Sequence, residues 1–147
     1  MKSKDSSLND SNYINLDIGK LTLEQLNLML KHLPVDISFV DANDEVKYYS
    51  ATDDRIFPRS PAVIGRKIQK CHPPKSVHIV EDILNKFKKG EKNSAEFWIQ
   101  LGDRMIYIRY FAVWDNQGKY IGTLEVSQDI THIKKLEGER RLVQWSE

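Results

Sequence analysis

The stretch GTLEVSQDITHIKKLEGERRL, residues 122–142, contains the end of a strand and the segment that follows it. Its first part alternates with the two-residue period of a strand, and its second part is charged and favours a helix. Asp129 and Thr131 are residue types that cap free amides at a helix start, and aspartate also suits the positive end of the helix dipole. The stretch predicts a last strand that hands over to an outgoing helix at residues 132–147, although capping alone would explain these residue types.

As a coiled coil this tail is weak. Ile133, Leu136 and Val143 fit heptad spacing, but Arg140 occupies an expected core position. Gly138 costs a helix about 1 kcal/mol relative to alanine. A segment this short does not hold itself together as a helix, so a longer parent protein or a dimer would have to support it.

Composition restricts the class of protein. The 147 residues, 40% of them hydrophobic, are enough for one domain with a real core. A net charge of +1, from 22 basic and 21 acidic residues, leaves no electrostatic footprint for nucleic acid or an anionic membrane. The single cysteine, Cys71, excludes an internal disulfide and a multi-thiolate zinc site. No run resembles a signal peptide or spanning helix, so we expect a cytoplasmic protein.

The N-terminal third predicts a lead-in, a helix and a hairpin. Residues 1–20 are rich in Ser, Asn, Asp and Lys, which favours a disordered or extended lead-in. Thr22 and Gln25 form a capping-box pattern that predicts a flanking helix over residues 21–33. Asn43-Asp44 predicts the tight turn of a hairpin. One stripe of the predicted helix is apolar: Leu23, Leu26, Leu30 and Leu33.

The remainder predicts a mixed α+β fold. Residues 51–73 contain three prolines and suit short helical turns, whereas residues 74–89 have the apolar periodicity of a helix that Gly90 ends. Three strand patterns follow, joined by turns at residues 102–103 and 115–118. In the middle strand both alternating sets are largely apolar, so something must cover each sheet face. The 74–89 helix suits one face, and the Leu-rich helix or a second subunit suits the other.

Several segments together resemble a known family. The order of elements, IGRKI before the main helix, CHPP at its start and GTLEVSQDIT at the end resemble a PAS domain over residues 35–131. The longer stretches LPVDISFVDANDEVKYYS and IFPRSPAVIGRKIQKCHPPKSVHIVEDIL are similar to the PAS module that often follows a hemerythrin-like region in bacterial and archaeal proteins. Four scattered histidines supply no hemerythrin-like iron ligands in this chain. The resemblance implies an α+β fold: a five-stranded antiparallel sheet with helices on one face, an N-terminal amphipathic helix and a C-terminal outgoing helix.

The resemblance also implies a site and a signalling route. In PAS proteins a cavity between the sheet and the main helix holds a small ligand, and the Asp129-Ile130-Thr131 junction relays its effect to the outgoing helix. We expect an apolar or planar ligand here. The predicted lining is Ile68, Val77, Val80, Leu84, Ile108, Tyr110 and Ser127.

Two cofactors of the family, heme and flavin, have recognisable sequence signals. Heme-binding relatives use a histidine of the main helix as axial ligand, which would be His78, or His72 just before it. The helical wheel places His78 opposite the apolar arc, and His72 precedes a proline that biases it to extended backbone. Flavin is disfavoured because Cys71 does not lie in the Asn-Cys-Arg-Phe-Leu-Gln type of motif. The ligand therefore stays unknown, with heme left open.

The last strand has two faces of different chemistry. Tyr120, Leu124 and Val126 share one, and a polar trio of Thr123, Glu125 and Ser127 shares the other. Ordinarily the polar trio faces water. If it faced the cavity instead, Glu125 would offer a buried carboxylate that needs a partner.

Two other function classes compete with ligand sensing. An enzyme would need an acid and a base, but no triad, metal-ligand or phosphate-binding spacing occurs, so we expect a non-enzyme with no metal site. The carboxylates and phenols that could supply an acid and a base are Asp41, Tyr48, Glu96, Tyr110 and Glu125.

A homodimer is the other alternative, formed by the Leu-rich helix and the second sheet face. That face comprises Met105, Tyr107, Phe111 and Val113, with Trp98 beside them. The expected partners are a small ligand, a second copy and a hemerythrin-like or other effector domain.

Overall fold

Residues 12–145 are described by the computed structural model of the chain, which contains seven strands and two α-helices. Three single 3-10 turns, at Pro61–Val63, Ile68–Cys71 and Ile133–Lys135, complete the secondary structure. In chain order the elements are β1 (Tyr13–Asn15), β2 (Lys20–Thr22), α1 (Leu23–His32), β3 (Asp36–Asp41), β4 (Val46–Tyr49), α2 (Val77–Lys88), β5 (Ser94–Leu101), β6 (Arg104–Trp114) and β7 (Tyr120–Asp129).

The predicted five-stranded antiparallel sheet is confirmed. Its order is β4-β3-β7-β6-β5, so the last strand of the chain lies in the centre. β7 pairs with β3 on one side and β6 on the other, which places Glu125 directly between Ser38 and Tyr110. The same three residues therefore point to one face of the sheet.

The predicted turns are confirmed as well. Asp44 has a positive φ of 66° in the β3–β4 turn. The Asp41 carboxylate accepts hydrogen bonds from the backbone amides of Asn43, at 2.9 Å, and Glu45, at 3.0 Å. In the β6–β7 turn Asp115 does the same for Gln117 and Lys119. Aspartate favours both turns because its short side chain bonds the backbone a few residues ahead.

Helix α2 covers one face of the sheet. It begins at Val77, three residues later than predicted, because Pro73 and Pro74 hold the preceding backbone in a turn in which the Ser76 amide donates to the Pro73 carbonyl at 3.0 Å. Gly90 follows its end with a φ of 73°, the left-handed conformation that glycine allows. The helix buries Leu84 and Phe87. The rest of the apolar core comes from the strands: Val40, Val46, Ile106 and Ile108.

The N-terminal region is more ordered than the sequence predicts. Residues 1–11 of the predicted lead-in lie outside the described residues, but β1 and β2 form an antiparallel hairpin closed by a bond from the Leu16 amide to the Gly19 carbonyl. The capping box of α1 is confirmed, with the Gln25 amide 3.0 Å from the Thr22 hydroxyl and the Thr22 amide 2.9 Å from the Gln25 side chain. Residues 21 and 22, which were predicted to be helical, belong to β2.

Helix α1 does not cover the second sheet face as predicted. It contacts mainly β2, and none of its residues is buried. At the two ends of the predicted stripe Leu23 is 69% exposed and Leu33 is exposed too, while Leu26 and Leu30 are half-buried. The helix therefore leaves part of its own apolar surface open.

The predicted helix over 132–147 does not form in the part of it that the structure describes. A single 3-10 turn at Ile133–Lys135 follows β7, and residues 136–145 are irregular. Gly138 has a φ of 59°, outside the right-handed helical region. Leu136, Leu142 and Trp145 are exposed, so no buried apolar surface stabilises a helix there.

No helix within residues 12–145 combines the length and the hydropathy that crossing a membrane requires.

Candidate functional site: a cavity between the sheet and helix α2

A cavity of about 660 Å³ lies between α2 and the sheet. Ile79, Val80 and Ile83 line it from the helix. Strands β5 and β6 line the opposite side, and the segment before α2 contributes further lining residues. The lining from these last two regions comprises Ala95, Glu96, Phe97, Ile99, Ile108 and Tyr110 from the strands, and Phe57, Arg59, Cys71, His72 and Ser76 from the preceding segment.

The structure brings most of the predicted lining together. Val80, Ile108 and Tyr110 border this cavity. Ile68 and Leu84 border a smaller one of about 30 Å³ that shares the side chains of Val80 and Tyr110 with it. Two predicted residues line neither space: Val77, which is half-buried, and Ser127, which is buried in the sheet.

The polar trio of β7 faces the cavity side, not water as ordinarily expected. Thr123 and Ser127 are buried, and the Glu125 side chain is only 16% exposed. Thr123 and Glu125 both line the smaller cavity, and Glu125 lines the larger one as well. β7 is the central strand of the sheet, and the alternation of its side chains does not by itself indicate which of its two faces meets α2.

Three polar side chains meet at one end of the cavity. Arg59 Nη2 lies 3.9 Å from Glu125 Oε1, and Tyr110 is the register neighbour of Glu125 on β6. Burial, and next the negative charge of Glu125, raise the pKa of the Tyr110 phenol far above its ordinary value, so the hydroxyl stays protonated. The end of the cavity therefore offers a cation, a carboxylate and a neutral hydroxyl.

A network in the preceding segment positions Arg59. Buried Asp36 accepts a hydrogen bond from the Thr52 hydroxyl at 3.0 Å and another from the Ile56 amide at 2.5 Å. Arg55 donates to the Ser50 carbonyl at 2.8 Å and to the Phe57 carbonyl at 3.1 Å, and burial lowers its pKa. These bonds hold an otherwise irregular segment against β3, with Phe57 and Arg59 directed toward the cavity.

The two histidines of the heme hypothesis lie in different places. His78 is exposed and lines neither cavity. His72 lines both, and its Nδ1 lies 3.1 Å from the Ile68 carbonyl, which can only accept, so Nδ1 is the donor in this contact. The residues therefore do not fit a heme ligated by His78. Cys71 also lines the large cavity and is a free thiol.

The junction after β7 is tied back to the start of β6. The Asp129 carboxylate accepts hydrogen bonds from the Thr131 amide at 3.0 Å and the Thr131 hydroxyl at 2.6 Å. The Thr131 hydroxyl oxygen in turn accepts from the Met105 amide at 2.9 Å, and the Ile130 amide donates to the Met105 carbonyl. All three predicted relay residues therefore take part in the contact between β6 and the segment after β7.

The residues weighed for catalysis do not form one constellation. Asp41 is engaged in the β3–β4 turn, and the Glu96 carboxylate accepts a hydrogen bond from the Tyr107 hydroxyl. Tyr110 and Glu125 are direct neighbours across two strands, and Glu96 borders the same cavity from β5. Within residues 12–145, no group of three or more His, Cys, Asp or Glu side chains is placed to hold a metal ion.

Part of the lining was missed from the sequence. Ala95, Phe97 and Ile99 alternate with the more polar positions of β5, a signal that could have assigned them to the inner face. Arg59 carried no such signal, because it lies in an irregular segment between two prolines. Only the tertiary contacts of that segment place it beside Glu125.

Comparison with known proteins decides the family. A family model described as a PAS domain matches residues 26–131, which is most of the chain. The chain belongs to the PAS domain family. PAS domains are in general sensory modules and not enzymes. The matched range begins inside α1 and ends at Thr131, so it contains the whole sheet, the cavity and the junction.

Solved structures agree with this PAS assignment. A C-terminal domain from Streptococcus mutans is 32% identical and has a TM-score of 0.81, with 88% of this chain and 100% of that chain covered. The PAS domain of a Colwellia psychrerythraea protein has 17% identity and a TM-score of 0.54, with 75% and 98% covered. The PAS domain of BvgS from Bordetella pertussis has 17% identity and a TM-score of 0.53, with 74% and 86% covered. The last two comparisons show similarity of fold alone. Among curated proteins, none matches the chain.

Proposed function

We propose that this PAS domain is a cytoplasmic sensory module that binds a small, largely apolar or planar ligand between its sheet and α2. The observation that carries the proposal is the cavity of about 660 Å³. Ligand pockets in proteins are typically about 300–1,000 Å³, mostly apolar and equipped with a few convergent polar groups. Ile79, Val80 and Ile83 on one side and Phe97 and Ile108 on the other supply the apolar walls.

The proposed route of the signal is strand β6. Ile108 and Tyr110 of β6 border the cavity, and Met105 at the start of the same strand is hydrogen-bonded to Ile130 and Thr131. A ligand that shifts β6 would change the geometry at this junction. We propose that the segment after Thr131 passes the change to an effector, for instance a hemerythrin-like or other neighbouring domain. That the Streptococcus mutans relative is a C-terminal domain supports a role alongside other domains.

A variant whose side chain fills the cavity tests whether a ligand binds there. Ala95→Phe adds an aromatic ring inside the lining, whereas Ala62→Phe adds the same ring at an exposed position. We expect 2-naphthol, a small planar probe, to shift backbone amide resonances of residues around the cavity in the parent protein and in Ala62→Phe, but not in Ala95→Phe. Equal binding by both variants, or no binding by the parent, would contradict the proposal.

Heme is the competing ligand, and His72 is the histidine of the described residues that borders the cavity. We expect the absorption spectrum of added hemin to be the same in the parent protein, His72→Ala and His78→Ala. A sharp Soret band lost only in His72→Ala would make heme the ligand in place of the one proposed.

Homodimer formation is a second candidate function, because apolar side chains are open on the face opposite the cavity. Trp98 is 61% exposed, although it lies within a strand. Side chains on that face include Tyr107 and Phe111, with the Arg109 guanidinium over both rings. Light scattering over a dilution series would detect the dimer, and Trp98→Glu should shift it to monomer. A monomer at all concentrations would remove this candidate.

A further inference from the structure

The polar end of the cavity selects a particular kind of ligand, and this inference rests on the proposed ligand-binding function. The Arg59 and Glu125 side chains approach each other only to 3.9 Å, well beyond the roughly 2.7–2.9 Å of a charge-assisted hydrogen bond. Within the described part of the chain Arg59 makes no hydrogen bond. Glu125 also accepts a hydrogen bond from the Tyr110 hydroxyl, but a carboxylate has about four acceptor positions. The guanidinium donors of Arg59 and the remaining acceptor positions of Glu125 are therefore available to a ligand.

A further buried polar group without a hydrogen-bond partner lies in the sheet next to Glu125. Ser38, the register neighbour of Glu125 on β3, has a buried hydroxyl with no hydrogen-bond partner among the described residues. Buried polar groups in proteins are almost always paired, and those that are not call for an explanation. Ser38, Glu125 and Tyr110 form one row across the inner face, so the unpaired Ser38 hydroxyl lies beside Glu125 on that face.

The charges at this end balance each other. Arg59 and Glu125 carry opposite unit charges, and their side chains are only 23% and 16% exposed. A ligand head with a net charge would be attracted by one of them and repelled by the other at nearly the same distance. A neutral head with a donor and an acceptor side by side would satisfy both.

We propose that the ligand carries a neutral amide-like edge, as in a lactam, imide or amide, on an apolar and largely planar body. Its N–H donates to the Glu125 carboxylate, and its carbonyl accepts from the Arg59 guanidinium. The body lies between Val80 and Ile83 of α2 and the Phe97 and Tyr110 rings, which stack with centroids 6.0 Å apart. The site thus recognises the polar edge of the ligand by hydrogen bonds and its apolar body by shape.

A matched set of bicyclic probes tests this assignment. 2-Quinolone has the adjacent N–H and carbonyl, N-methyl-2-quinolone lacks only the donor, and 2-naphthoate replaces the edge with an anion. Dissociation constants come from titrations followed by backbone amide shifts. We expect 2-quinolone to bind at least about tenfold more tightly than either relative, because each of them leaves a polar group of the site unpaired.

Two variants locate the effect. Glu125→Met should bring 2-quinolone and its N-methyl derivative to within about twofold of each other, since the acceptor that distinguishes them is gone. Arg59→Met should weaken both quinolones, and it does not disturb the central strand, so it keeps the test valid if the Glu125 variant fails to fold. Glu81→Met and Arg66→Met, both at exposed positions, are the controls.

The outcomes separate this inference from the proposed function. If all three probes bind with equal affinity, or if 2-naphthoate binds best, the cavity is a ligand site but the amide-edge assignment is wrong. If none of the three binds, and 2-naphthol does not bind either, both the assignment and the proposed function fail.

Discussion

Thr131 connects the end of β7 to the beginning of β6. Its hydroxyl donates to the Asp129 carboxylate at 2.6 Å, while the same oxygen accepts from the Met105 amide at 2.9 Å. One side chain thus satisfies a carboxylate of the junction and a backbone amide of the strand that borders the cavity. Strand β6 therefore connects the junction to the cavity, because Met105 at its start contacts Thr131 and its Ile108 and Tyr110 line the cavity.

Thr131→Val should loosen this connection. The substitution keeps the shape of the side chain and removes the hydroxyl, so the Met105 amide loses its acceptor. We expect the free energy of unfolding to fall by about 1–2 kcal/mol, measured by urea denaturation, and the Met105 amide to exchange faster with deuterium. Thr131→Ser, which keeps the hydroxyl, is the control. If the valine and serine variants behaved alike, the hydroxyl would not be the connecting group.

The junction should also respond to acid. Hydrogen bonds from the Thr131 hydroxyl and amide lower the pKa of the Asp129 carboxyl below the 3.8 of an unperturbed aspartate. Because the pKa is depressed in the folded state, the stabilisation is present above the pKa of the unfolded chain and is lost as the pH falls through the folded-state pKa. NMR titration of the Thr131 amide should show a transition below pH 3.8. Asp129→Asn should abolish that transition, and a transition that persisted would have to come from another group.

Gly122→Ala should destabilise the centre of the sheet. A Cβ at position 122 would lie 2.3 Å from the Val40 carbonyl oxygen and 2.4 Å from the Phe39 ring. Relieving such overlap typically costs about 1–3 kcal/mol, and more where backbone must move, as at Val40. Chemical denaturation measures the loss. Ile121→Ala, at the exposed neighbouring position, should change stability much less; comparable losses would mean that close approach is not the cause.

Phe87→Ala should be among the most damaging single changes in α2. Phe87 is fully buried, and truncation of such a ring leaves a cavity that costs about 3–5 kcal/mol. Ile79→Ala, on the same helix but 52% exposed, is the matched control and should lose well under half of that stability. The thermal transition of each variant measures the difference. An equal loss at the two positions would mean that α2 is not anchored to the sheet through Phe87.

Much of the fold follows from local patterns. Alternation predicts the strands of the five-stranded sheet, and Asn43-Asp44 and the 115–118 segment predict two of its turns. The Thr22–Gln25 capping box predicts the start of α1 to within two residues. These features depend on interactions between residues close together in the chain, so a single sequence contains them. The outgoing helix was predicted wrongly in the described range because helix-favouring residues do not suffice without a surface to pack against.

The candidate site depends on tertiary structure more than the secondary structure elements do. Strand periodicity separates Glu125 from Leu124 and Val126, but only the packing of α2 decides which of the two faces borders the cavity. Arg59 reaches Glu125 because the Asp36 and Arg55 hydrogen bonds fold an irregular segment back across β3. By itself, the sequence determined the order of elements from α1 to β7, the family resemblance and the Asp129–Thr131 junction, all of which depend on local patterns. The pairing of Arg59 with Glu125 arises between residues 66 positions apart, and only the folded chain brings such residues together.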